Sequence, residues 1–171
     1  SYPAFRLMRG WDQSAEDLDR VTTVNTTNSA AVLGVSSGTS GMPQPVVLTH
    51  SCLYLRCAMA RSSEQWQPGG RFIASVPLGF SATRKHVLTR LIDGGTVIFA
   101  PLMASPPELA AIVVKSRATS MLTVPAVARK LFDLAPTDGP LFPDLDYMMA
   151  CGAPMSRQEK LDCRDKLCRG F

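Results

Sequence analysis

The sequence predicts an α/β protein, a parallel-rich sheet with flanking helices, and three features carry that prediction. Short apolar runs rich in strand-forming residues alternate with stretches long enough for crossover helices, tight-turn residues punctuate the alternation, and a glycine- and hydroxyl-rich loop follows the first run directly. A chain of 171 residues with 46% hydrophobic content buries one sizeable core, so one domain is the simplest count.

In chain order, residues 1–27 form an N-terminal segment and linker; the segment holds Trp11, and a Thr- and Asn-rich tract from Thr22 to Ser29 leads out of it. Ala30 to Val35 is the first strand-like run, followed by the loop, the short apolar run Val46 to Leu48 and a helix starting near Thr49. The turn Gln67-Pro68-Gly69-Gly70 precedes a strand over Phe72 to Val76, and Asp93-Gly94-Gly95 precedes another over Thr96 to Ala100. Ser105-Pro106-Pro107-Glu108 has the pattern of a capping box, in which serine and glutamate satisfy orphan N–H groups and Pro106 sits where a first-turn proline is tolerated. Behind this cap Leu109, Ile112 and Val113 share one helical face, as do Val127, Leu131 and Leu134 after the strand Ser120 to Val124. A proline-rich loop from Pro136 to Pro143 leads to the strand Tyr147 to Ala150, and Ser156-Arg157-Gln158-Glu159 repeats the capping box. The separations are long enough for crossovers, which predicts parallel strands with helices packed on the faces.

Charge and cysteine usage exclude several function classes. Lys and Arg number 18 against 14 Asp and Glu, and the charges are scattered, so nucleic-acid binding has no support, although a net charge of +4 suits an anionic nucleotide. The five cysteines, Cys52, Cys57, Cys151, Cys163 and Cys168, include no Cys-x-x-Cys pair, and the histidines are His50 and His86, which argues against a protein-ligated metal site or a disulfide framework. Free buried or half-buried thiols in a reducing cytoplasm are the expectation. The sequon Asn25-Thr26-Thr27 has no signal peptide before it, and no apolar run approaches the roughly 20 residues of a membrane-spanning helix.

The loop after the first strand is suited to phosphate. Gly38 and Gly41 let backbone N–H groups turn inward without a Cβ in the way, and Ser36, Ser37, Thr39 and Ser40 add hydroxyl donors. It is distinct from the Gly-x-x-x-x-Gly-Lys-Ser/Thr loop, because no lysine follows Gly41 at the required offset.

With Ser37, Gly38, Thr39, Ser40, Gly41, Pro43, Val46, Thr49 and His50 in place, this stretch resembles the phosphate-binding motif of the AMP-forming acyl-adenylating enzymes, Ser-Gly-Thr-Thr/Ser-Gly-x-Pro-Lys-Gly-Val followed by Thr-His. That superfamily comprises acyl-CoA synthetases, aryl-CoA ligases, luciferases and peptide-synthetase adenylation domains. The sequence departs from the motif at Gln44, where the family has lysine, and at Pro45, where it has glycine. The resemblance continues through Ser75-Val76-Pro77-Leu78-Gly79-Phe80, similar to the strand and Pro-Leu-Phe-His that open the acyl pocket, and through Asp93-Gly94-Gly95-Thr96-Val97. It continues to Thr123-Val124-Pro125-Ala126 and to Cys151-Gly152-Ala153-Pro154-Met155, which resembles the adenine-bordering Gly-Gly-Ala-Pro-Leu. The order and spacing of these pieces cover most of residues 28–171.

The resemblance implies a partial N-terminal domain over 28–171, with ATP and magnesium at a nucleotide site and coenzyme A and a carboxylic acid, fatty or otherwise apolar, as the other reactants of an acid–thiol ligase. It places Ser36, Ser37, Gly38, Thr39, Ser40, Gly41 and Gln44 at the phosphates, Gly152, Ala153 and Pro154 at the base, and Phe80 and Val124 in the acyl pocket. It assigns no catalytic residue to this chain, since the Tyr-Gly-x-Thr-Glu motif, the ribose-binding aspartate and the C-terminal domain with its adenylation lysine would all follow Phe171; the fragment alone is expected to be inactive. In the family, a carboxylate attacks the α-phosphate of ATP, releasing pyrophosphate, and a thiol then takes the acyl group, chemistry that depends on positioning and on neutralising charge. Gln44 keeps a donor but loses the cation, and Pro45 removes an N–H and fixes φ, so the alternative is a non-catalytic nucleotide- or acyl-binding module. Four further readings stay open on the sequence: His50 as a structural or a catalytic residue, Phe80 as pocket or core, Cys151 narrowing or filling its site, and Arg84, Lys85 and His86 as a coenzyme A contact or a solvated helix face.

Overall fold

Two sheets form, and the length of each connection decides how the strands pair. The computed structural model describes residues 26–35, 44–63 and 67–171; Trp11 and the hydroxyl loop Ser36 to Gly41 lie outside them. Strand β1 (Ala30–Val35) pairs with β2 (Pro45–Thr49), with Leu33 opposite Val47 and Gly34 opposite Val46. The pairing is antiparallel, which corrects the parallel place that the alternation predicts for Ala30 to Val35. Only residues 36–44 connect the two strands, fewer than the dozen or so that a parallel crossover needs.

The longer connections do produce a parallel sheet. Strands β3 (Arg71–Ala74), β4 (Thr96–Phe99), β5 (Ser120–Thr123) and β6 (Tyr147–Ala150) lie in the order β4-β3-β5-β6 and all run the same way. Helix α1 (His50–Ser63) precedes β3, α2 (Ser81–Ile92), α3 (Pro106–Lys115) and α4 (Pro125–Phe132) run between the strands, and α5 (Arg157–Asp162) follows β6 and continues into a π-helical turn over Cys163–Leu167. Strands β3, β4 and β5 stop one or two residues short of the apolar runs that predict them. Pro77, Pro101 and Pro125 follow closely, and a residue without an N–H cannot extend a ladder.

The two-residue period of the strands divides the core. Ile73, Met121 and Met148 face Leu109, Val113, Ala128 and Leu131, whereas Phe72, Ala74 and Leu122 face Val87 of α2. Both predicted capping boxes form, at Ser105 with Glu108 and at Ser156 with Glu159. Leu109 and Val113 are buried and Ile112 half-buried, as the stripe requires, while Leu134 falls beyond the end of α4.

The amino-terminal ends of the strands are locked by a charge. Arg90 of α2, 1% exposed, donates to the Gln67 carbonyl and, at 3.0 Å, to Ser120 Oγ. Gly70 and Gly95, just before β3 and β4, make room for it: a Cβ at Gly70 would come within 2.7 Å of Arg90 Nη1, and one at Gly95 would collide with Arg90 Cδ. The opposite ends of the strands carry the candidate site.

Candidate functional site

The chain leaves β3 for β4 on one side, then returns past β3 to lay β5 on the other, so the connections diverge between β3 and β5. Crevices outside the carboxyl ends of parallel strands at such a switch point are where open α/β sheets take ligands. Both predicted acyl-pocket residues flank it. Phe80 closes the β3–α2 loop as the N-cap of α2 and is 58% exposed, and Val124 follows β5 as the N-cap of α4 and is half-buried. Phe80 is not packed into the core of the described residues.

The β3–α2 loop is braced from several sides. Phe80 N donates to the Pro77 carbonyl at 3.1 Å, and Arg84 Nη1 donates to the Leu78 carbonyl at 3.1 Å. Ser75 Oγ donates to Leu122 O at 2.7 Å, tying the end of β3 to β5, and Arg56 of α1 reaches Ser81 Oγ at 3.0 Å. Arg84 is thus engaged with loop carbonyls.

The predicted base-bordering turn follows β6, the next strand along. Cys151 N donates to Thr123 O at 3.1 Å, after which Gly152 takes φ +97°, a left-handed conformation that side chains disfavour. A Cβ built on Gly152 would find Val124 Cγ1 at 3.9 Å and nothing nearer, so the structure brings Gly152 and Val124 together across an open shelf. Ala153 and Pro154 are exposed beside it.

Burial rewrites the electrostatics expected of Arg84, Lys85 and His86. His86 is 2% exposed and stacks on Phe72, ring centroids 5.7 Å apart, on the face of α2 turned to the sheet. Burial, reinforced by the Lys85 and Arg90 charges, pushes its imidazole down from 6.5 to about 4. A neutral, enclosed histidine does not meet a phosphate, so the triplet is no basic cluster. Burial also pushes the half-buried Cys151 thiol up from its ordinary value, against the pull of Lys85.

Of the remaining expected residues, Gln44 is exposed immediately before β2, and Ser36 to Gly41 lie outside the described residues. His50 is the first residue of α1, where its N–H donates to Ser29 O at 3.2 Å, and its exposed side chain shares a shallow hollow with Thr27, Tyr54 and Leu55. Among the described residues no three His, Cys, Asp or Glu side chains converge as metal ligands. What the sequence does not signal is Arg129, whose Nε meets Glu159 Oε1 at 2.5 Å and whose Nη2 lies 3.5 Å from the Pro154 carbonyl. These partners are brought together by packing of α4 against the β6–α5 turn, which no local pattern records.

Fold and topology together define a class: an α/β domain whose parallel sheet has a switch point between β3 and β5, with Phe80, Val124 and Gly152 at the carboxyl ends of its strands. The chain belongs to the family of AMP-binding enzymes, which it matches over residues 5–170. It is 25% identical over 119 residues to the D-alanine–D-alanyl carrier protein ligase of Bacillus cytotoxicus, a match covering 68% of this chain and 24% of that protein. Its fold is that of the N-terminal domain of FACL13 from Mycobacterium tuberculosis, solved with a bound inhibitor, with a TM-score of 0.73 at 22% identity over 82% of this chain and 35% of the other. It is equally that of O-succinylbenzoate coenzyme A synthetase (MenE) from Bacillus subtilis, solved with ATP and magnesium ion, with a TM-score of 0.72 at 18% identity over 82% and 29%. The chain therefore spans about a quarter of the curated ligase's length. The family read from the loop and from the later motifs is borne out.

Proposed function

We propose that the protein carrying this chain is an AMP-forming ligase that adenylates a carboxylic acid with ATP and transfers the acyl group to a thiol, with a fatty or other apolar acid as substrate and coenzyme A as acceptor. The observation that carries the reading is the shelf at the switch point, where Val124 and the left-handed Gly152 stand side by side and Phe80 is exposed across the β3–β5 divide. A flat base fits against Gly152, where a Cβ would otherwise fill the space, with Ala153 and Pro154 along its edge. The apolar Phe80 and Val124 favour an apolar acyl group, and neither offers a charge to a polar one. The Ser36 to Gly41 hydroxyls and N–H groups and the Gln44 amide hold the phosphates in this reading. Magnesium would supply charge neutralisation between two anionic reactants, with no set of protein ligands for it among the described residues. Residues 28–171 are the binding unit, with 1–27 leading into it. The five cysteines, all free, suit a reducing cytoplasm.

One observation favours the second reading, a binding module without turnover. Gln44 is exposed before β2 and offers no positive charge, whereas Pro45 is accommodated as the first residue of β2, opposite Val35. A charge-assisted contact contributes about 1.5 to 3 kcal/mol, so Gln44→Lys should tighten ATP binding at least about tenfold. The test is carboxylate-dependent ATP–pyrophosphate exchange by the full-length protein with fatty and aromatic acids, beside Gln44→Lys. Exchange by the wild type supports the ligase, exchange by the lysine variant alone supports a module that lost its chemistry at Gln44, and silence from both folded proteins refutes adenylation.

A further inference from the structure

We infer that Arg129 and Glu159 act as a positioning pair that fixes the Gly152–Ala153–Pro154 turn relative to Val124, and so sets where the nucleotide base rests. The inference builds on the proposed adenylating function and goes beyond it, because neither residue lines the shelf. The turn has two anchored ends. At the start Cys151 N is bonded to Thr123 O, and at the finish Glu159 caps α5 by accepting from Ser156 N at 2.6 Å. Glu159 divides its oxygens: Oε2 serves the cap, and Oε1 takes the Arg129 guanidinium. Arg129 turns its other nitrogen to the Pro154 carbonyl at 3.5 Å. Arg129 lies on α4, which opens directly after Val124, so one guanidinium connects the acyl side of the shelf to the base side. An exposed ion pair adds little to global stability, and the side chains here are 44% and 26% exposed. The geometry matters more than the energy: without Arg129 the α5 cap persists through Ser156, while the link from α4 to the turn is gone.

The test uses the full-length protein and compares wild type with Arg129→Ala, Arg129→Lys and Glu159→Gln. Deuterium uptake by the peptide over residues 150–157 is measured without nucleotide, and KM for ATP and kcat are measured in ATP–pyrophosphate exchange, with AMP binding followed by calorimetry. Arg129→Ala is expected to speed uptake in that peptide alone and to raise KM for ATP about tenfold, with kcat within about twofold. Arg129→Lys should fall between, because lysine keeps the charge but loses the fork that engages two acceptors. Glu159→Gln should reproduce the uptake change if Arg129→Ala does not fold. Unchanged uptake, or faster uptake with unchanged KM in an active enzyme, overturns the inference; so does a parallel loss of kcat, AMP affinity and melting temperature in all three variants. A wild type that neither exchanges nor binds AMP refutes the base-binding assignment itself, a failure visible before any variant is made.

Discussion

His86 makes the stability of this fold depend on pH below neutrality. Its imidazole falls from 6.5 to about 4 because it is enclosed against Phe72, with Lys85 and Arg90 opposing a further positive charge. A group whose folded pKa is depressed contributes stability that is complete above its unfolded pKa and is lost as pH falls toward the folded one. The window is therefore pH 6.5 down to about 4. At about 1.4 kcal/mol per tenfold change in proton affinity, the loss amounts to about 2 kcal/mol by pH 5 and about 3 kcal/mol by pH 4. Against a domain stability of roughly 5 to 15 kcal/mol, that is large enough to measure.

The assay is urea denaturation at pH 7, 6 and 5, comparing the wild type with His86→Leu, which keeps an apolar side chain against Phe72 and cannot take a proton. Carboxylates titrate in both proteins and cancel in the difference. Between pH 7 and pH 5 the wild type should lose about 2 kcal/mol relative to the variant. Parallel curves would refute the reasoning, since they would mean that His86 accepts its proton in the folded state as easily as in the unfolded one.

Two substitutions probe backbone requirements elsewhere. Gly95→Ala drives a Cβ against Arg90 and to within 2.7 Å of the Gly70 carbonyl, and should cost about 2 to 3 kcal/mol in denaturant titrations; a cost under about 0.5 kcal/mol would mean that Arg90 can move aside. Arg117, exposed after α3 with φ 50°, occupies the left-handed position of a helix end at which Ala118 N bonds back to Val113 O. Arg117→Gly should stabilise by about 0.5 to 1 kcal/mol, read as a higher urea midpoint, and a lower midpoint would place the strain elsewhere.

How far the sequence could be read depended on the range over which each feature is encoded. The capping boxes at Ser105 and Ser156 are complete within four residues, and both formed as read. The apolar runs of β3 to β6 carry their own period and lie where expected, trimmed only where proline removes a donor. Pairing is not local: Ala30 to Val35 looks like any other strand, and the short span of 36–44 is what turns it antiparallel. His86 between Lys85 and Val87 looks like part of a basic helix face until Phe72, on another element, covers it. The same holds for Arg129, whose partner Glu159 is 30 residues away on another helix. Gly152, Phe80 and Val124 stand out in the sequence only through the family resemblance, since a glycine, a phenylalanine and a valine carry no chemistry of their own.

The two ends of the parallel sheet solve opposite problems with the same residue types. At the amino-terminal ends, glycines are needed for crowding: Gly70 and Gly95 give up a Cβ so that the Arg90 guanidinium can be buried against Gln67 and Ser120. At the carboxyl end, Gly152 is needed for backbone conformation, and the space a Cβ would take lies open beside Val124. A buried, multiply bonded charge makes the first end intolerant of substitution, because removing one partner leaves a charge without compensation. The second end has its restraints at a distance, in Thr123, Ser75 and the Arg129–Glu159 pair, which leaves Phe80, Ala153 and Pro154 exposed for contact. Phe80 and Val124 can therefore be substituted without disturbing the lock that holds the strands together.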